Sequence, residues 1–408
     1  MKKTLHDLLQ RLSSNAPDVP FTVRFWDGTQ SQYGRGEPAF TLAFRNQRAA
    51  RRVITTGVLG FGEEYMAGAL DVEGDFKKLM ALGTDPQIQE VQLPLPTRLS
   101  IAVQHLVTAN RFRRSPRNIA HHYSRGNDFY KLYLDDSMTY SCAYFKTDDD
   151  TLEKAQQQKY EHVCRKLQLR EGESLLDVGS GWGGMLVYAA LQYGAKPTGC
   201  TLSEPQFDFT REIIKQRGLE SRASVLLQDY RALKGTFDKW VSIGMFEHVG
   251  KKYIGLFMRT AARCLAPGGI GLLHTIGKEQ ASRPDPWTMK YIFPGGYIPT
   301  LGEIIDAMGE AGLVPLDVEN LRLHYAATLD RWAERFERSA AKVKALFGES
   351  FVRMWRMFLN GSAAGFRLGD LRLYQITFSN GLNNTLHLTR DHLYVDPAPD
   401  GRPTSGQR

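Results

Sequence analysis

Residues 173–184 (ESLLDVGSGWGG) carry an apolar run straight into an acid and a turn with four glycines. Leu175, Leu176 and Val178 read as a buried parallel strand, since such strands are covered on both faces and run apolar without alternation. Gly179, Gly181, Gly183 and Gly184 free the following backbone of Cβ atoms, so a ligand can approach it closely. The run opens a nucleotide-binding α/β unit. Its spacing, D-x-G-x-G-x-G, is not the G-x-G-x-x-G of dinucleotide sites, whose acid stands at the end of the next strand. An acid inside the turn, Asp177, suits a ligand with positive charge and no phosphate. S-adenosylmethionine, with its sulfonium and α-ammonium groups, answers that description.

The next segments extend the unit into a doubly wound sheet. Residues 185–193 have helical periodicity, Gly194 caps them, and 197–202 supply a second strand. Further strands are expected at 224–228, 239–244 and 269–275, each announced by Gly, Pro or Asp. Ligands in such sheets bind beyond the carboxyl ends of the strands. The informative residues should therefore lie at 177–183, 201–206, 229–231, 245–249 and 274–276.

The 408 residues suffice for two domains, with 42% hydrophobic residues and a net charge of +8 from 52 Lys and Arg against 44 Asp and Glu. That excess favours an anionic surface, lipid headgroups before nucleic acid. Cys142, Cys164, Cys200 and Cys264 are far apart with no C-x-x-C pair, so they read as free thiols in a reducing compartment, and local spacing builds no zinc site. The N-terminus begins Met-Lys-Lys, but Leu5, Leu8, Leu9 and Leu12 are interrupted by polar residues, so no secretory leader is expected. The same leucines mark either a core face or a membrane face of a first helix. No run approaches the about 18 apolar residues of a spanning helix, so any membrane contact is expected to be peripheral, on the cytoplasmic side.

Six separated strings resemble the cyclopropane-fatty-acyl-phospholipid synthases and mycolic acid cyclopropane synthases. They are 122–129 (HYSRGNDF), 138–145 (MTYSCAYF), 177–183 (DVGSGWG), 201–206 (TLSEPQ), 242–250 (SIGMFEHVG) and 274–276 (HTI). The resemblance runs from about 117 to about 394. It departs from the family at Ser124, where Asp is usual. Its implied fold is a Rossmann-like seven-stranded S-adenosylmethionine-dependent methyltransferase with a helical lid and a smaller N-terminal α+β domain. Residues 59–75 (LGFGEEYMAGALDVEGD) are similar to the N-terminal domain of the full-length bacterial phospholipid synthases, so a lipid-recruiting unit is expected at 1–95, with strands near 21–26 and 39–44. A linker and basic hinge (RFRRSPR at 111–117) should span 96–116, the catalytic domain 117–395 and a disordered tail 396–408.

The implied reaction adds a methylene to a cis double bond of an acyl chain in a phospholipid bilayer. The alkene attacks the sulfonium methyl, and a proton must leave the transferred carbon as the ring closes. No nucleophilic side chain is needed. A dry pocket, aromatic faces and a base are. The insert at 287–297 (WTMKYIFPGGY) offers Trp287, Tyr291, Phe293 and Tyr297, either as part of a lid or as core. In the family the base is a bound bicarbonate ion, and the matching ligands are Cys142, Glu247, His274, Tyr325 and the Ile276 main chain. The cofactor positions that match are Tyr123, Tyr140 and Ser141 with Asp177, Gly179, Gly181 and Gly183, then Thr201, Leu202 and Gln206 for the ribose, and Asp229 and Tyr230 for the adenine. A homodimer is implied, and no nucleic-acid partner. The alternative is a methyltransferase of the same fold that stops at methyl transfer to a lipid or an amine.

Overall fold

The computed structural model describes residues 1–84, 126–282 and 285–394. The expected hinge at 96–116, Tyr123, Ser124 and the expected tail at 396–408 lie outside the described residues. The chain forms two compact units, one of Met1–Leu134, Gln280–Ile298 and Tyr325–Arg372, the other of Asp135–Glu279, Pro299–His324 and Leu373–Arg408.

In the first unit, β1 (Phe21–Arg24), β2 (Gln30–Tyr33), β3 (Phe40–Phe44) and β4 (Leu70–Gly74) make a sheet ordered β2-β1-β3-β4. β1 and β3 are parallel, and the other pairs antiparallel. On the helix Lys2–Asn15, Leu5 and Leu9 are buried and Leu8 and Leu12 partly so, which makes the leucine stripe a core face. The later stretches of the chain pack into the same unit. Glu63, on the helix Val58–Met66, accepts from Lys290 Nζ at 2.6 Å and Tyr291 OH at 2.9 Å. Trp287 is 2% exposed and lies so close to Gly62 that a Cβ there would overlap its ring. Phe293 meets Phe358 edge-on at 5.6 Å, and Arg353 pairs with Asp71 at 2.7 Å. Trp287 is thus a core residue, while Phe293 is partly buried.

The second unit is built on β5 (Ser174–Val178), β6 (Lys196–Thr201), β7 (Ser224–Leu227), β8 (Phe237–Ile243), β9 (Leu265–Gly277), β10 (Leu313–Asn320) and β11 (Arg372–Asn380), ordered β10-β11-β9-β8-β5-β6-β7. β6 to β9 are parallel to their partners around β5, and β10 is antiparallel to β11. The five expected parallel strands are present, and β9 extends beyond 269–275 at both ends. The helix Gly184–Tyr193 follows the glycine turn and ends on Gly194 in a left-handed conformation (φ 63°), as its Gly predicts. Leu175, Val241 and Leu272 from the strands pack with Val163, Cys164 and Met185 from the helices. Strand order reverses at β5, flanked by β6 on one side and β8 on the other. The crevice for a ligand therefore opens at the carboxyl ends of β5 and β8. All four cysteines are buried and free. No helix among the described residues is long and apolar enough to cross a membrane.

Candidate active site

The glycine turn is anchored before it meets any ligand. The N–H groups of Gly179 and Ser180 both donate to the Cys200 carbonyl at 3.0 Å, fixing the end of β5 to the end of β6. Gly179, Gly181 and Gly183 have φ of 85°, 55° and 84°, in the region that glycine alone adopts freely. They differ in what surrounds them. A Cβ at Gly179 would come within 2.6 Å of Met245, and at Gly183 within 2.6 Å of Thr210, whereas at Gly181 it would meet nothing within 4 Å. Packing requires the outer glycines, and Gly181 lines the open side of the turn.

Asp177 is the penultimate residue of β5, in the strand that leads into this turn rather than inside the turn itself; it is 2% exposed, and its Oδ1 has no hydrogen-bond partner among the described residues. Burial pushes its carboxyl up to about 7, with the Lys159 charge pulling the other way. Lys159, on the helix Leu152–Leu167, is the residue that sequence reasoning missed here. Its ammonium is buried, 3.3 Å from Ser141 Oγ and 4.0 Å over the Tyr160 ring. Burial lowers Lys159 to about 8, opposed by Asp135, Cys142 and Asp177. Asp135 in turn shapes the segment that carries Tyr140, Ser141 and Cys142. Its oxygens accept from Ser137 N and Thr139 N, each at 2.9 Å, across a bend in which Met138 takes φ 55°. Tyr140 is partly exposed, Ser141 and Cys142 are buried, and Cys142 Sγ lies 3.1 Å from the Ala143 carbonyl.

Beyond β6, Thr201 Oγ1 donates to Gln206 Oε1 at 2.9 Å, which leaves the Gln206 amide nitrogen for another acceptor, and Leu202 is half exposed beside them. Asp229 is engaged by Arg231, accepting from its main-chain N at 2.9 Å and from its guanidinium at 2.6 Å, and that pairing holds the carboxyl below its ordinary range. Tyr230 is buried with its ring 5.2 Å from Phe257.

The polar centre lies at the ends of β8 and β9. Glu247 sits in a short 3-10 turn, Phe246–His248, and its Oε1 accepts the main-chain N–H of Ile276 at 2.6 Å. The residue is partly exposed, but its carboxylate is enclosed, and burial raises its pKa. His274 stands two residues before Ile276 on β9, so both side chains fall on one face of the sheet. It is 1% exposed, and its Nδ1 lies 3.2 Å from Gln375 Nε2. Burial, then the charges of Lys159 and Lys166, hold His274 well below its ordinary pKa, so the ring is neutral. The charge of Lys159 thus bears on both Cys142 and His274. Neither Glu247 Oε2 nor His274 Nε2 has a hydrogen-bond partner among the described residues. Of the remaining expected ligands, Ile276 gives its N–H to Glu247, and Tyr325 belongs to the other unit, where it packs 4.4 Å from Phe366.

A mostly parallel sheet that reverses at β5, with an acid and a glycine turn at its mouth, places the chain in the class of S-adenosylmethionine-dependent methyltransferases. A family model described as mycolic acid cyclopropane synthetase matches residues 110–376, and a domain family of unknown function matches residues 8–87. The chain belongs to the mycolic acid cyclopropane synthetase family. It is 38% identical to the cyclopropane-fatty-acyl-phospholipid synthase of Escherichia coli over 87% of this chain and 92% of that one. It is 37% identical to a probable fatty acid methyltransferase of Pseudomonas putida, over 92% and 96%. Among solved structures it is similar to a mycolic acid cyclopropane synthase complexed with SAH and CTAB, with a TM-score of 0.61 and 33% identity over 65% of this chain and 98% of that one.

Proposed function

We propose that the protein transfers a methylene from S-adenosylmethionine to the cis double bond of an unsaturated phospholipid acyl chain, forming a cyclopropane. The observation that carries this reading is the Glu247–Ile276 contact beside His274, where two enclosed polar atoms are turned away from protein partners at the mouth of a methyltransferase sheet. The name of the Escherichia coli relative supports the same substrate class.

In this reading Gly181, Asp177, Tyr140 and Ser141 would hold the amino-acid end of the cofactor. Thr201, Leu202 and Gln206 would hold its ribose, and Asp229 and Tyr230 its adenine. The alkene forms a bond to the methyl carbon as the C–S bond breaks onto sulfur. A methyl C–H pair then closes the ring, and its proton must be taken up. The donor set fits a small protonated oxyanion, since Glu247 accepts an O–H while His274, neutral and carrying one N–H, donates to an oxygen. A bicarbonate held there by Glu247 and His274 would supply the base. The Ile276 N–H keeps Glu247 oriented, Cys142 lines the position, and Tyr325 enters on the resemblance alone. The net charge of +8 supports peripheral recruitment to the inner face of an anionic bilayer, and a homodimer completes the proposal.

The Pseudomonas putida relative favours a second reading, transfer of an intact methyl group. Incubation with unsaturated phospholipid vesicles and S-adenosylmethionine bearing a CD3 methyl separates the two by mass spectrometry. Ring formation leaves CD2 in a product without the alkene, methyl transfer leaves CD3, and an unlabelled lipid sinks both.

A further inference from the structure

Gln375 is fully buried on β11, and its Nε2 donates to His274 Nδ1 at 3.2 Å. Across the antiparallel register it faces Glu319 of β10, so the two side chains share one face of the sheet. Glu319 is itself held in place, since its Oε2 accepts from His162 Nε2 at 2.7 Å and from Lys166 Nζ at 2.6 Å. Gln375 therefore meets His274 from a strand backed by a fixed charged cluster. A neutral imidazole carries its proton on one of two nitrogens, and a donor aimed at one nitrogen places the proton on the other.

We propose that Gln375 is a positioning residue that fixes His274 in the tautomer protonated on Nε2, the nitrogen turned away from protein partners. In the absence of this amide the ring would distribute its proton over both nitrogens and could present a lone pair where a donor is required. For its catalytic consequence the assignment rests on the reading of His274 as a donor to a bound oxyanion, but the tautomer itself does not.

The full-length protein with 15N-labelled histidine reports the tautomer by two-bond 1H–15N correlation, with the His274 signals among ten histidines assigned by their loss in His274→Gln. The expected spectrum has the His274 proton on Nε2. Gln375→Glu, which turns a carboxylate acceptor toward Nδ1, should move the proton to Nδ1 and lower turnover roughly tenfold or more while leaving S-adenosylmethionine affinity within a few-fold. Gln375→Met should give a mixture of tautomers. A wild-type proton on Nδ1, or an unchanged tautomer in a folded Gln375→Glu variant, would overturn the assignment. The wild-type spectrum decides even where a variant fails to fold. Should the tautomer be as stated while His274→Ala turns over at the wild-type rate, the oxyanion reading fails and the positioning assignment stands.

Discussion

Glu247 Oε1 and the Ile276 main-chain N–H lie 2.6 Å apart, tying the turn after β8 to the end of β9. A buried carboxylate is costly unless hydrogen bonds hold it, and here one oxygen is held while Oε2 has no hydrogen-bond partner among the described residues. Beside it His274 is neutral, so the centre pairs an acceptor with a single donor.

The cofactor's ammonium should couple to a proton on Asp177. Burial raises that carboxyl from 3.8 to about 7, so across this window the ligand-free protein holds a proton that the unfolded chain has lost. Stability therefore falls as pH rises through it. A cationic ligand favours the ionised form, so S-adenosylmethionine affinity should increase with pH up to about 7 and binding below that should release a proton. Calorimetry in buffers of different ionisation heat checks this, and Asp177→Asn should flatten the profile. Affinity independent of pH, with no proton released, would count against the assignment.

Gly181→Val should abolish cofactor binding with the fold retained. The added Cβ meets no protein atom within 4 Å, so the side chain enters the open side of the turn, at some backbone strain from φ 55°. Undiminished S-adenosylmethionine binding by the folded variant would show that the ligand lies elsewhere.

Much of this site is legible in one dimension because strand, turn and helix follow one another within a few residues. The apolar run to Val178, the glycines and the Gly194 cap are local signals, and the structure places each as expected. Glu247 and His274 stand at strand ends, which the topology makes informative. Gln375 is 101 residues from His274, and in a strand buried along nearly its whole length, RLYQITFSN, no alternation marks the amide out. Lys159 lies on a helix among polar neighbours, and only the fold turns it inward onto Ser141. The polar β2 strand, QSQY, has no apolar alternation because it is an edge strand with a single buried residue, Tyr33. The insert's aromatics were open to two readings because nothing local says that Trp287 packs against Gly62.

That packing makes its own prediction. Gly62→Val forces a side chain into the Trp287 ring, and overpacking of this kind typically costs about 1–3 kcal/mol. Denaturant unfolding should show the loss, whereas Gly68→Val, where an added Cβ meets nothing, should cost only the strain of its φ of 72°. Equal stability of Gly62→Val and wild type would contradict the contact.

Vesicle binding should follow charge. With a net charge of +8, binding should favour anionic over neutral vesicles and weaken with salt, as exposed charges are screened within ~10 Å at ~0.1 M. Sedimentation with vesicles of each composition measures it, and equal binding at every salt concentration would remove the electrostatic account.

The most direct test of the proposed base site is Glu247→Gln, which keeps the shape of the side chain and removes its charge. Turnover on unsaturated phospholipid vesicles and S-adenosylmethionine affinity should be measured together, with bicarbonate depleted and restored. The account predicts turnover lower by about 10²-fold or more with cofactor affinity within a few-fold, because the group acts after the methyl has moved. Wild-type turnover by a Glu247→Gln protein that binds cofactor and lipid normally would contradict it.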